Sequence, residues 1–243
     1  MCYHYSISKT ASEIAARYNI DLRLPEINPD PLYYHVNGFS HYNLPVVYKD
    51  YSKGDLKFEF MQWGLVPGWV KGEEKAEQIR SRTLNARSET ADSKPSFRAA
   101  FRYRPCLVPA TGYFEWMHHK GNKYPFFLHL TTPGIFSFAG IWEEWVNEST
   151  GEILRSFSIL TCDANSLAAR IHNSKKRMPV IIESNHEKKW LSTGSGTGDR
   201  RQLLKPFDAE GMDAYSISRL ISSKGQNTNI PEVLDPVVYH ELN

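Results

Sequence analysis

Cysteine follows the initiator Met1 directly, so removal of one residue would leave an α-amine and a thiol on adjacent carbons of Cys2. An internal cysteine cannot offer that pair, because its nitrogen is held in a peptide bond. A free N-terminal cysteine attacks an aldehyde with its amine and then closes a five-membered thiazolidine ring with its sulfur. Reference pKa values of about 8 for the amine and about 8.5 for the thiol leave some of each group nucleophilic at neutral pH. One thiol is weak evidence, so its partners decide the question.

Candidate partners are scattered along the chain. In Gly112-Tyr113-Phe114-Glu115-Trp116, strand alternation puts Phe114 and Trp116 on one face and Tyr113, Glu115 and Met117 on the other. A carboxylate among such neighbours loses solvation, which raises its pKa toward the range useful for acid-base work; at a sheet edge it would be an ordinary surface charge. His172 ends a helical pattern, where the helix dipole favours a protonated imidazole and a capping or core histidine is the plain alternative. Asn85 by itself reads as a turn or cap residue. Arg87 and Arg177 are candidate phosphate contacts, since a guanidinium fork pairs two oxygens at once. Trp63 and Trp69 flank Gly64-Leu65-Val66-Pro67-Gly68. An exposed aromatic there would stack on an unpaired base for about 1 to 3 kcal/mol, while core packing would claim at least one of the two. Thr161, in a strand pattern, is a further candidate for the nucleic-acid backbone.

The elements that must position these residues are mostly short strands. Leu56, Phe58 and Phe60 alternate with Lys57 and Glu59, and Ile135 to Trp142 and Phe157 to Thr161 read as further strands. Thr10 with Glu13 forms a capping-box pattern before a helix reaching Tyr18, and Ser184 with Glu187 repeats it before Trp190. Ser93 and Pro95 open a helix that puts Phe97, Ala100 and Phe101 on one face, and Asn165 to Ile171 predicts another. His118-His119 reads as a turn before Gly121. With no internal repeat and no long linker, residues 1–243 are expected to form one α+β domain, with largely antiparallel sheets and short peripheral helices.

Composition removes several function classes. The chain has 243 residues, 41% hydrophobic and 23% charged, which is ordinary for a globular protein. The net charge is only +2, yet Arg80 to Arg104 carries seven basic residues against two acidic ones, and Arg170, Lys175, Lys176 and Arg177 form a second basic cluster. Either is a solvated face when taken singly; together they could line one surface. Three cysteines without a CxxC suggest neither a disulfide framework nor a zinc site, and no histidine has metal-site spacing. No metal and no cofactor is expected. Ser192 to Gly198 lacks the Gly-Lys-Ser/Thr ending of a phosphate loop and reads as a surface loop. The polar opening and the lack of an apolar run of about 18 residues predict a soluble intracellular protein with no membrane partner.

Taken together, Met1-Cys2, Asn85-Ala86-Arg87-Ser88-Glu89-Thr90, Gly112 to Trp116, and Ile171-His172 leading to Arg177-Met178-Pro179 resemble the SRAP family (SOS response-associated peptidase). Trp63 to Pro67 and Cys106-Leu107-Val108-Pro109-Ala110 extend the resemblance, which runs from Cys2 to about Arg219. It implies a single SRAP-type domain that captures abasic sites in single-stranded DNA as a covalent crosslink through Cys2, once Met1 is gone. It further implies that Glu115 moves protons in crosslink formation and in Met1 release, making the protein a thiol autopeptidase with lyase-like potential. His172 would stabilise or protonate the opening sugar, and Asn85 would orient the amine and the sugar. The expected partner is single-stranded DNA bound by a monomer, in the cytoplasm and nucleoid of a bacterium or the nucleus of a eukaryote.

The chain departs from the family pattern at three places. Tyr3-His4 stands where Gly-Arg is common after the cysteine, four residues (Asn173 to Lys176) separate His172 from Arg177 where one is usual, and Arg104-Pro105 replaces a paired basic residue before Cys106. Two rival readings use the same residues. One is an N-terminal-nucleophile amidase in which Cys2 attacks a small amide, and the other is a non-covalent reader of modified bases. The basic clusters and the aromatic turn disfavour the amidase, and a stable adduct with aldehyde-bearing DNA would exclude the reader.

Overall fold

The computed structural model describes residues 2–22, 32–192 and 200–242. Along the chain, β1 (His4–Ile7) leads into α1 (Ala11–Arg17), and β2 (Tyr33–Asn37), β3 (Asn43–Lys49) and β4 (Leu56–Trp63) follow. After α2 (Glu73–Arg80) come β5 (Asn85–Arg87) and α3 (Arg98–Tyr103). A strand-rich stretch then holds β6 (Pro105–Ala110), β7 (Gly112–His119), β8 (Asn122–Leu130), β9 (Phe136–Val146) and β10 (Ile153–Asp163). Beyond α4 (Ser166–Ile171) lie β11 (Arg177–Pro179), β12 (Ile181–Ile182), α5 (Glu187–Trp190) and β13 (Met212–Ser216).

These strands build two sheets, and the α+β reading with short peripheral helices holds. The first sheet is antiparallel throughout, in the order β13-β8-β7-β1-β2. The second runs β11-β10-β4-β3-β6-β9-β12 and curls shut, because β9 also pairs with β10. Closure of this kind removes the free edges that would otherwise template aggregation. Two of its pairings are parallel: β10 lies beside β4 and then beside β5. One continuous core joins the sheets, with Tyr5, Ile7 and Tyr113 of the first packed among Trp63, Phe138, Phe157 and Leu160 of the second.

Local chemistry accounts for the elements near the site. Thr10 accepts from the backbone N–H of Glu13, and Glu13 accepts in return from Thr10, so the predicted capping box fixes α1. The second predicted box does not form. Ser184–His186 is a 3-10 turn with no side-chain cap, and Glu187 is taken instead by Arg17 at 2.7 Å and by the Ser137 hydroxyl at 2.6 Å. A buried carboxylate gains more from a cation and a hydroxyl than from a backbone N–H that water could satisfy. His118 and His119 end β7 rather than making the turn, which is Lys120-Gly121, both at positive φ. That two-residue turn matches the twist of a hairpin and pins the β7–β8 register. The predicted loop at Ser192 to Gly198 falls, apart from Ser192, outside the described residues.

Candidate active site

Strand β1 carries the candidate nucleophile, Cys2, into the middle of the first sheet. Tyr5 is paired with Val36 on β2 and with Tyr113 on β7, so Cys2 enters two residues ahead of an interior strand that lies directly beside β7, the strand that bears Glu115. Cys2 is fully buried, and its thiol donates to the carbonyl oxygen of His4 at 3.3 Å. Burial and the nearby Glu115 carboxyl push the thiol well above its ordinary pKa. In this arrangement the sulfur is therefore a thiol, not the partly ionised nucleophile that the reference value suggests.

Glu115 points from β7 to the same face as Tyr113, as the alternation predicts, and is 4% exposed. Desolvation raises its pKa to about 8, so at neutral pH it is a neutral acid holding a proton. Its Oε1 lies 3.4 Å from Nδ1 of His172. His172 caps the C-terminus of α4 as expected, but burial outweighs the hydrogen bond to the Arg177 backbone and lowers its pKa, which corrects the expectation of a protonated ring. Nδ1 is also 2.9 Å from the carbonyl oxygen of Arg177. A carbonyl can only accept, so Nδ1 carries the hydrogen and Nε2 of the neutral ring is left with a free lone pair.

Asn85 is delivered by the parallel pairing of β5 with β10, in which Ile159 lies opposite Asn85 and Thr161 opposite Arg87. Its amide donates to the Cys2 carbonyl oxygen at 2.8 Å, while its own Oδ1 is buried without a partner. An unpaired buried acceptor is costly, and one beside Cys2 is available to an incoming donor. The phenol hydroxyls of Tyr5 and Tyr113 and the Oε1 of Glu115 are likewise buried and lack a hydrogen bond.

Glu115 and His172 open into a cleft of about 870 Å³ that is also lined by Arg87, Lys123, Lys175 and Arg177. The two basic clusters thus converge only in part. Arg87 comes from the first and Lys175 and Arg177 from the second, but Arg80 is engaged by Gln62 and Arg104 by Glu143. Four cations line the cleft against two carboxyl groups, Asp163 and Glu115, and Glu115 keeps its proton. The longer loop after His172 is tied down by Asn173, which accepts from the His118 N–H at 3.1 Å and donates to the His118 carbonyl at 2.8 Å.

Not every predicted contact reaches the cleft in usable form. The Arg177 guanidinium is spent on Glu89, on Asp163 at 2.8 Å and on the Thr161 carbonyl at 2.6 Å, leaving only a buried Nε unpaired. Thr161 is fully buried and supports Arg177 rather than offering its side chain outward. Trp63 is fully buried too, its ring stacked on Phe157 and its Nε1 donating to the Leu84 carbonyl at 2.8 Å. That burial leaves no face for a base, so the expectation of stacking passes to Trp69, which is 58% exposed. Sequence reasoning missed Glu89 and Asp163 as the residues that fix Arg177, and Lys123 as a cleft cation. Only Glu89 left a trace, as a member of the Asn85 to Thr90 motif; Lys123 enters through its pairing opposite His118 on β7, which spacing does not encode.

Comparison with known proteins places the chain in a family. The family described as SOS response associated peptidase (SRAP) matches residues 1–224. The chain is similar to abasic site processing protein YoqW of Bacillus subtilis, with 35% identity over 237 residues that cover 97% of this chain and 99% of that one. It is 29% identical over 212 residues to abasic site processing protein HMCES of Gallus gallus, covering 79% of this chain and 61% of the relative. A crystal structure of a protein from Bacteroides thetaiotaomicron superposes with a TM-score of 0.90 at 40% identity, over 98% of this chain and all of the other. With the match running from residue 1 to 224 of 243, the chain belongs to the SRAP family.

Proposed function

We propose that the protein processes abasic sites in single-stranded DNA and traps them as a covalent thiazolidine at Cys2 after loss of Met1. The observation that carries this reading is the placement of Cys2 against a protonated Glu115, with Asn85 gripping the Cys2 carbonyl, behind a cleft whose cations outnumber its anions. The names of the curated relatives support the same substrate.

The chemistry follows from the protonation states. Glu115 gives its proton to the ring oxygen of the abasic sugar as the bond to C1′ breaks, and the free Nε2 of His172 takes the proton of the C1′ hydroxyl. The aldehyde so exposed reacts with the Cys2 amine, and one water leaves as the imine forms. The thiol then adds across the C=N bond: sulfur bonds to carbon and the thiol proton passes to nitrogen. Aldehyde and aminothiol thus become thiazolidine and water, with nothing oxidised or reduced. Hydrolysis of the Met1–Cys2 bond, which consumes one water, must come first because an amide nitrogen cannot form the imine.

Incubation with a uracil-containing single strand treated with a uracil glycosylase tests the proposal. A heat-stable, slower-migrating band is expected from the wild type and none from Cys2→Ser. A band of equal yield from both proteins would overturn it.

A further inference from the structure

His4 stands where the family commonly has arginine, and the structure shows what it does instead. Its Nδ1 is 2.9 Å from Nε2 of His35, and Nδ1 of His35 is 2.7 Å from the hydroxyl of Thr228. The two imidazole rings are near-parallel, with centroids 5.1 Å apart, and the His4 ring meets the edge of Trp116 at 4.9 Å. Trp116 adjoins Glu115 and is itself held by Ser222 at 3.1 Å. His4 therefore stands between His35 and Trp116, at the wall shared by the cleft of Glu115 and a neighbouring cleft of about 640 Å³.

The far end of this chain of contacts is fastened to the sheet. Asn229 accepts from the backbone N–H of Tyr34 at 2.7 Å and of His35 at 3.3 Å, and donates to the Leu32 carbonyl at 3.0 Å. Strand β2 is the outer strand of the first sheet, so Asn229 supplies hydrogen bonds that a neighbouring strand would otherwise make. Thr228 and Asn229 both lie beyond the stretch matched by the family. The near end is the nucleophile, because the carbonyl of His4 is the acceptor of the Cys2 thiol.

We propose that Thr228 and His35 are positioning residues for the Cys2 nucleophile, acting through the ring and the carbonyl of His4. Burial pushes His4 down to about 4 and His35 to about 3, so both rings are neutral near pH 7 and each carries one N–H. The Thr228 hydroxyl can donate or accept. Its choice fixes the tautomer of His35, which fixes that of His4 and whether Nε2 of His4 shows a hydrogen or a lone pair. A flexible cation at this position is thereby replaced by a neutral ring of fixed orientation, and the start of β1 is braced by a segment more than 200 positions away in sequence.

The inference rests on Cys2 being the aldehyde-trapping group, so the test pairs a DNA readout with one that needs no DNA. Thr228→Val removes the hydroxyl while keeping the shape, and Thr228→Ser restores it. In Thr228→Val the crosslinking rate on abasic DNA should fall about tenfold with non-covalent DNA affinity unchanged, and Thr228→Ser should stay within about twofold of wild type. Iodoacetamide modification of Cys2, read by mass spectrometry of its peptide, should quicken about fivefold in Thr228→Val alone. Nitrogen-15 shifts of the His4 ring should change with it. Wild-type alkylation and wild-type shifts in Thr228→Val would overturn the proposal, as would an equal loss in both variants or a loss of DNA affinity in place of rate. If the wild type itself forms no crosslink, the reading of function fails while the alkylation result still decides the positioning role. Should Thr228→Val not fold, His35→Gln takes its place in the same measurements.

Discussion

Oε1 of Glu115 lies 3.4 Å from the one ring nitrogen of His172 that already donates to the Arg177 carbonyl. The pair therefore divides labour: the carboxyl holds the proton and the imidazole offers a lone pair from its other nitrogen. Glu115→Gln keeps the shape and removes the acid. Crosslink formation should slow by about 10²-fold, and the wild-type rate should fall as pH rises past about 8 while the variant's does not. Time courses between pH 6 and pH 10 decide it, and a parallel decline in both proteins would take Glu115 out of the chemistry.

The same proton has a thermodynamic consequence. The folded protein keeps it up to about pH 8, against an ordinary value of 4.5, so between these values the folded state binds more protons than the unfolded chain. The contribution of Glu115 to stability is complete below the lower value and is lost as pH climbs through the upper one. Glu115→Gln has no such proton, so its melting temperature should rise relative to wild type between pH 5 and pH 9. Calorimetry at the two ends measures the gap, and a constant gap refutes the shifted carboxyl.

How much of this was legible in the sequence depends on how far the information had to travel. Glu13 and Thr10 are three residues apart and Tyr113, Glu115 and Met117 alternate, so local spacing placed α1 and the face of β7 correctly. Ser184 and Glu187 match the same capping pattern, yet Arg17 and Ser137, distant in sequence, claim the carboxylate. Asn85 acquires meaning only because β5 runs parallel to β10, a pairing between segments about 70 positions apart that no periodicity encodes. Trp63 and Trp69 have equal standing in the sequence, and only the packing of Tyr5 from the first sheet and Phe157 from the second against Trp63 separates them.

Cys2→Ala and Cys2→Ser should both lose the heat-stable adduct, whereas Cys106→Ser and Cys162→Ser should keep it, since those two thiols are buried within strands and have no free α-amine beside them. Intact-mass measurement of the native protein should find Met1 removed. An uncleavable tag placed before Cys2 should abolish the adduct and preserve reversible DNA binding. A heat-stable adduct from demonstrably uncleaved protein would falsify the aminothiol mechanism.

Arg87 and Arg177 should separate cleanly. Arg87 is exposed in the cleft, so Arg87→Ala should flatten the salt dependence of single-strand binding by about one phosphate contact. Arg177 is committed to Glu89, Asp163 and Thr161, and the two carboxylates remain partly solvated without it. Arg177→Ala should therefore cost stability of about 1 to 3 kcal/mol and leave the salt slope close to wild type. Salt titrations of affinity beside denaturant melts give both numbers, and a flattened slope in Arg177→Ala would return that residue to the phosphates.

Trp69→Ala should weaken single-strand binding by about 1 to 3 kcal/mol with little change in melting. Trp63→Ala, emptying a fully buried site, should cost about 3 to 5 kcal/mol of folding stability. Binding isotherms and melts on both variants test the division, and equal binding losses from well-folded forms of each would reject it.

The location of Cys2 at the head of β1 also decides where mechanical load would enter the protein. Strand β1 is flanked on both sides, by β2 and β7, and the carbonyls of Tyr3 just before it and of Ser6 within it accept from the N–H groups of Gly38 and Thr111 at 2.8 Å each. In the proposed adduct, a motor enzyme hauling the DNA along the axis of β1 would have to shear two ladders at once instead of peeling a terminal strand one bond at a time. The protein would then act as an anchor that holds its grip under tension, and clearing it would require unfolding the sheet from another edge or cutting the chain.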